Sequence, residues 1–308
     1  FRSQMSLNLH LCKFSDSHSL ALGRCSVGHF FGRDIVSLLV LPLWNFFMGL
    51  VTFLYCLYLV TPILLLVVGS FGTSWTNSLL PSGMTFDWYL EVAGDSSFQR
   101  AFLTSLQVVV ATCVINVLLG VPFAYAVFSA ANRGIRLAAR IFTLLPVAVP
   151  ELVLGFGFII VFSSNYTPWL GTTWLLVCAH VVLTLPYLVG TLLGDMDRLG
   201  IAGMERVAET LGAGFWQRFR DIVIPSLRYS LLSGLMMVTA ISIGEFQISN
   251  LVAGFLSRTY PVVLLQAFYG ATGLACAATV VLIFLALMAA CASAAGAHFS
   301  HFRQKARP

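Results

Sequence analysis

The stretch VAETLGAGFWQRFRDIVIPSL, residues 207–227, separates two almost purely apolar runs with Arg218, Arg220, Asp221, two closely spaced glycines and Pro225. Met204, Val207, Ala208 and Leu211 recur at the i, i+3, i+4, i+7 spacing of one helical face, with Glu205, Arg206 and Glu209 elsewhere on the wheel. Gly212 follows Leu211, where a helix commonly ends in a left-handed residue. A second short face begins with Phe215, Phe219, Ile222 and Val223, and Pro225 is expected to stop or kink it before the next apolar run. The spacing predicts two short amphipathic helices set at an angle. Their plainest role is to rest on lipid headgroups with arginines toward phosphate.

The flanking composition belongs to a membrane. The chain has 308 residues, 58% hydrophobic and 9% charged, whereas soluble domains carry about a quarter charged residues. A net charge of +5 makes no continuous basic face, which argues against nucleic-acid binding. The seven cysteines lie scattered, mostly in apolar runs, and without a C-x-x-C pair they read as small buried hydrophobes. Residues 1–34 are polar and mixed, with no apolar core followed by a cleavage site, so they are expected to be a disordered or mis-started extension, with Met48 a candidate start.

A helix needs about 20 apolar residues to cross the hydrocarbon. Six stretches qualify, near 46–69, 103–128, 141–163, 173–194, 229–252 and 272–296, with Pro62, Pro122, Pro146, Pro150 and Pro186 inside them. Fifteen of the 17 basic residues fall on one side of this arrangement, leaving Arg100 and Arg258 on the other. The asymmetry places both termini and the 195–228 loop in the cytoplasm. Along the chain this gives an extension (1–34), a first span with its external loop (35–102), a main transmembrane module (103–296) and a tail (297–308). Phe86, Trp88, Tyr89 and Leu90 predict a short external helix at the membrane interface.

Gly212, nine intervening residues, then Ile222, Ile224 and Pro225 resemble the G-x9-I-x-L-P of the EAA loop, the signature of permease subunits of ATP-binding-cassette importers. Arg206 and Val207 stand where that pattern has its Glu and first Ala; Ala208 matches the second, and Glu205 supplies an acid one position early. FQRAFLTSLQVVVAT, LLPVAVPELVLGFG, GEFQISNLVAG and TYPVVLLQAFYG extend the resemblance over roughly residues 85–296. It implies an all-α membrane protein of the type I importer permease fold, with six transmembrane helices and both termini inside, in a bacterial cytoplasmic membrane. It further implies two cytoplasmic ATPases, a second permease subunit, identical or paralogous, and an external solute-binding protein.

Lys13 and Lys305 are the only lysines and neither sits in a phosphate-binding G-x-x-x-x-G-K-[ST] loop, so no cofactor is expected on this chain and ATP would be hydrolysed by a partner. Coupling to that partner is expected from Glu205, Arg206, Val207, Ala208, Leu211, Gly212, Phe215, Phe219, Ile222 and Pro225. In this scheme Glu205 or Arg206 makes the polar contact and Gly212 the turn, while the apolar faces fit a cleft of the ATPase.

Glu151 and Glu245 lie inside predicted spans, where an acid by default marks a pathway or a helix-to-helix partner. With Asn250 they are candidates to line the translocation pathway; for Glu245 the bland alternative is a carboxyl bonded to Ser242, Ser249 or a neighbouring helix. His180 reads as a satisfied polar residue between helices, without a role. Two other classes compete. An ion-coupled transporter or channel using Glu151 and Glu245 calls for broken helices in inverted repeats, which the sequence does not display. A membrane enzyme calls for a His/Glu or Ser/His cluster, which the six histidines do not form. Resemblance in the last two spans leans toward a small polar solute such as a polyamine or 2-aminoethylphosphonate.

Overall fold

A computed structural model describes residues 28–74, 81–164 and 166–305, with side chains described at 44, 46–74, 81, 83–164 and 166–288. Residues 1–27 of the expected extension lie outside this range. By internal contacts the chain divides into residues 1–61 and 62–308. The first unit is helical from Gly28, within α1 (Gly28–Ser70), and all its described side chains are exposed, Trp44, Phe53 and Tyr58 among them. A helix apolar on every side suits lipid rather than water.

The second unit holds the end of α1, from Pro62 to Ser70, and then a small antiparallel pair of strands, β1 (Gly72–Ser74) and β2 (Ser82–Met84). The expected interfacial helix follows as α2 (Asp87–Gly94), tied to the strands by Trp88 Nε1–H donating to the Gly72 carbonyl at 2.8 Å. Then come α3 (Ser96–Ser129), α4 (Arg133–Ala148), α5 (Glu151–Phe162) and α6 (Thr173–Arg198). Asp95, Asn132 and Thr172 start α3, α4 and α6 by accepting from Ser97, Gly134 and Leu175 N–H groups. After α7 (Ile201–Thr210) and α8 (Phe215–Arg218), a π-helical turn over Phe219–Val223 leads into α9 (Ile224–Gly244). The chain finishes with α10 (Gln247–Val252), α11 (Tyr260–Gly270) and α12 (Thr272–Lys305).

Among the described residues, four helices are long and apolar enough to cross a membrane: Phe46–Ser70, Ser96–Ser129, Thr173–Arg198 and Phe215–Gly244. The α4–α5 pair makes a fifth if taken as one span, and α12 adds a shorter apolar stretch, Thr272–Met288. The main core joins α3, α6, α7 and α9 through Ala124, Leu188, Leu192, Met196, Ile201, Val223 and Val238.

Two spans expected to be continuous are broken. The stretch at 141–163 bends by 96° between α4 and α5. Pro150 pushes the preceding Val149 into extended backbone (φ −87°, ψ 131°), and a residue before proline disfavours the helical region for steric reasons. Pro62, Pro122, Pro146 and Pro186 remain inside helices. The stretch at 229–252 breaks after Gly244, where Glu245 is extended (φ −69°, ψ 122°). By contrast, Pro225 does not end the second short helix of the 195–228 loop. Proline lacks an N–H and crowds the carbonyl one turn back; the wide π turn just before it accommodates both, and helix runs from Phe215 to Gly244.

Candidate coupling surface and the breaks in the membrane spans

The two short helices form a hook with an inner and an outer side. On α7, Ile201 is buried and Glu205 and Ala208 are half-buried, whereas Met204, Arg206, Val207 and Leu211 are exposed. The helix ends in a paired bond pattern, Gly212 N–H to Glu209 O at 2.9 Å and Ala213 N–H to Ala208 O at 3.0 Å. This Schellman closure needs a left-handed residue at Gly212, whose φ is 86°. A Cβ there would meet nothing within 4 Å, so the constraint on Gly212 is conformational, not steric crowding by neighbours. Gln217 Oε1 then accepts from Gly214 N–H at 3.0 Å and starts α8.

Internal bonds fix the angle of the hook. Tyr125, near the end of α3, donates its hydroxyl to Glu205 Oε1 at 2.6 Å. Its ring meets Phe219 and Phe215 edge-on at 5.1 and 5.9 Å. Arg218 Nη1 bridges to Glu209 Oε2 at 2.6 Å, tying α8 to α7. Phe219 and Ile222 are half-buried and Val223 is buried, so the expected apolar face of the second helix packs largely into the bundle. What remains outside is a strip of apolar tips. Leu211 is 83% exposed and Trp216 is 75% exposed, alongside Val207 and Phe215. Pro225 is exposed on the continuous helix.

The two acids within the predicted spans mark the breaks. Glu151 is the first residue of α5, half-buried, and Glu245 stands two residues before the start of α10. A carboxylate beside a helix N-terminus meets unsatisfied N–H groups and the positive end of the helix dipole. Glu245 shows this in full: it is only 5% exposed and accepts from Ile248 N–H at 2.6 Å and Ser249 N–H at 2.9 Å, and from the Ser249 hydroxyl. His180 on the unbroken α6 approaches it, with Nε2 at 3.4 Å from Glu245 Oε2. The same ring lies 2.7 Å from Ser242 Oγ through Nδ1 and 3.0 Å from Ser249 Oγ through Nε2. His180 therefore joins α6 to both halves of a broken span. Its helix is further linked to α3 by Asn116 Nδ2 donating to Thr184 Oγ1 at 2.7 Å.

Beyond the breaks, the half-helices α5 and α10 pack together. Leu154, Phe158 and Phe162 lie against a cluster that includes Ile248 and Val252. Gly171 N–H donates to Val252 O at 3.1 Å, and Ser257 Oγ donates to Gly171 O at 2.8 Å. Gly254 allows this approach, because a Cβ there would sit 2.5 Å from the Gly171 carbonyl oxygen. Of the pathway candidates, Asn250 is exposed, Glu151 half-buried and Glu245 buried, so the three do not share one environment.

Residues 116–302 match the family described as the binding-protein-dependent transport system inner membrane component. The chain belongs to this family. A putative 2-aminoethylphosphonate transport system permease protein of Salmonella typhimurium is 26% identical over 76% of this chain and 88% of its own length. A sulfate transport system permease protein of Escherichia coli is 28% identical over 70% and 76% of the two chains. A molybdenum transport system permease protein of Mycobacterium bovis is 31% identical over 59% and 74%. In fold, the chain superposes on a chain of a bacterial importer of the acidic polysaccharide alginate with a TM-score of 0.67 at 17% identity, over 89% of this chain and 100% of that one.

The permease is thus a multi-pass membrane protein and a transport subunit. Three side chains that organise it carry no signal in the sequence as partners: Tyr125 for Glu205, His180 for Glu245, and Trp216 at the exposed tip. Each partnership spans 65 residues or more, or depends on which side of a short helix faces the bundle. The expectation of unbroken spans is also corrected, since both Glu151 and Glu245 follow breaks.

Proposed function

We propose that this permease is half of the pore of an ATP-driven importer, with six spans, both termini in the cytoplasm and a second permease subunit beside it. The observation that carries the coupling role is the exposed apolar tip of Val207, Leu211, Phe215 and Trp216 on a hook whose internal bonds fix its shape. An exposed aromatic and aliphatic cluster on a rigid element fits a groove in a partner. The partner is a cytoplasmic ATPase, two copies serving the two permease halves. Arg206, exposed beside the tip, supplies the polar contact, because the Glu205 carboxylate is bonded to Tyr125.

Force has two routes inward. One runs through Glu205 and Tyr125 to α3; the other runs along the continuous helix from Phe215 to Gly244. The second ends at the Glu245 break, so movement of α9 turns α10 and the packed α5 as a pair about Val149–Pro150 and Glu245–Phe246. In this scheme Glu151 and Asn250 border the pathway, and Glu245 holds the hinge. The external partner is a solute-binding protein, as in the related alginate importer structure that contains a ligand-bound periplasmic protein. Relatives named for 2-aminoethylphosphonate, sulfate and molybdenum support a small oxyanion-bearing solute, 2-aminoethylphosphonate among them, over a polyamine.

The test is the complex rebuilt with its ATPase and binding protein in vesicles. Cysteine placed at Leu211 is expected to crosslink to the ATPase, and uptake is expected to require ATP. Uptake without any ATPase, or crosslinks from Leu211 to lipid alone, contradicts the proposal and favours the ion-coupled alternative built on Glu151 and Glu245.

A further inference from the structure

The two basic residues that fall outside the cytoplasmic set converge on one place. Arg100 on α3 and Arg258, in the loop before α11, line a pocket of about 140 Å3 together with Ser97, Gln266 and the exposed Phe255. Among the described residues neither arginine forms an ion pair. Arg258 is nonetheless held in position: its Nη1 donates to Gln266 Oε1 at 3.0 Å, and its guanidinium lies 4.8 Å over the Phe255 ring. Asp95, the acid beside Ser97, is occupied by capping α3 through the Ser97 N–H at 2.6 Å.

Two guanidinium groups lining one small pocket repel each other and favour an anion between them. Their planar forks match the oxygens of a phosphonate or sulfate better than those of a neutral solute, and they disfavour an ammonium group. Arg258, half-buried and pre-oriented, loses less rotational freedom on binding than the exposed Arg100, which closes on the anion from the other side. We infer that Arg100 and Arg258 form a receiving site for the oxyanion group of the solute at the outer mouth of the permease. The inference rests on the orientation and importer role proposed above, and it selects phosphonate-like solutes against polyamines.

The site is tested on the full chain in lipid nanodiscs by arginine-selective labelling with phenylglyoxal, read residue by residue by mass spectrometry. At about 10 mM, 2-aminoethylphosphonate or inorganic sulfate is expected to slow labelling of Arg100 and Arg258 by roughly threefold or more, as charge-assisted bonds to both forks require. Labelling of Arg206 serves as the unprotected control, and spermidine is expected to protect neither site. Protection by spermidine, or none by any oxyanion, overturns the inference. In the rebuilt importer, the Arg100→Gln/Arg258→Gln pair is expected to cut uptake about tenfold or more, and the Arg100→Lys/Arg258→Lys pair, which keeps the charge but not the fork, is expected to restore only part of it. The half-saturating concentration of binding protein is expected to stay unchanged. If that concentration rises instead and labelling shows no oxyanion protection, the patch docks the acidic surface of the binding protein and the solute site is refuted. Loss of ATP dependence with labelling protection intact would break the importer proposal and leave the anion site standing.

Discussion

The hook of α7 and α8 and the helix break at Glu245 use the same kinds of residue for opposite ends. In the hook, acids and arginines bond to one another and to Tyr125 so that apolar tips stay outside. At the break, Glu245 and His180 are withdrawn from the surface together with Ser242 and Ser249, and they bond to one another. A surface meant to meet a partner can leave Leu211 and Trp216 in water, at a cost that burial against a partner offsets. A break buried among helices has no such freedom, because an unpaired polar group there costs about 1–3 kcal/mol. The polar network of the break is therefore structural in the first place, and that of the hook is positional.

Substitutions separate the two regions. The largest effect belongs to the break: Glu245→Ala strips partners from His180 and from two backbone N–H groups, and each buried donor left unsatisfied costs about 1–3 kcal/mol. Thermal unfolding in detergent is expected to shift down sharply, and a permease of unchanged stability would show that the network is dispensable. His180→Ala is expected to follow in the same direction. Next comes the tip. Leu211→Asp and Trp216→Ala leave unfolding within error but weaken ATPase binding by about 2 kcal/mol each, the range of interface anchors, measurable by pull-down titration. Tyr125→Phe removes a hydrogen bond to a charged carboxylate, about 1.5–3 kcal/mol, and is expected to lower uptake per ATP more than it lowers ATPase binding. Smallest is Glu209→Gln, which weakens a pair whose Glu209 end is exposed and is expected to change stability by about 0–1 kcal/mol.

The sequence was legible where lipid imposes a single rule. Apolar runs of span length found Phe46–Ser70, Ser96–Ser129 and Thr173–Arg198 closely, because a crossing helix must satisfy its backbone internally. Gly212 was legible for a similar reason, since few residues tolerate its φ of 86°. The breaks were not. Pro150 bends its span while Pro122 and Pro186 stay inside theirs, and only packing decides which proline does so. The 229–252 run stays apolar straight through the Glu245 break, so periodicity gives no warning. In the hook, both apolar faces looked alike in sequence. One met the bundle through Phe219 and Val223, and the other stayed outside through Val207 and Leu211.

Gly212→Val tests the hook most directly. A β-branched residue in left-handed backbone costs about 1–2 kcal/mol and distorts the Schellman closure, while leaving the tip residues and the buried network in place. The measurement is uptake and ATP hydrolysis, taken together, in vesicles holding the complete importer with this substitution. A rigid hook that hands motion from ATPase to pore predicts continued hydrolysis with uptake lost. Full uptake at the wild-type ratio of solute to ATP would contradict it.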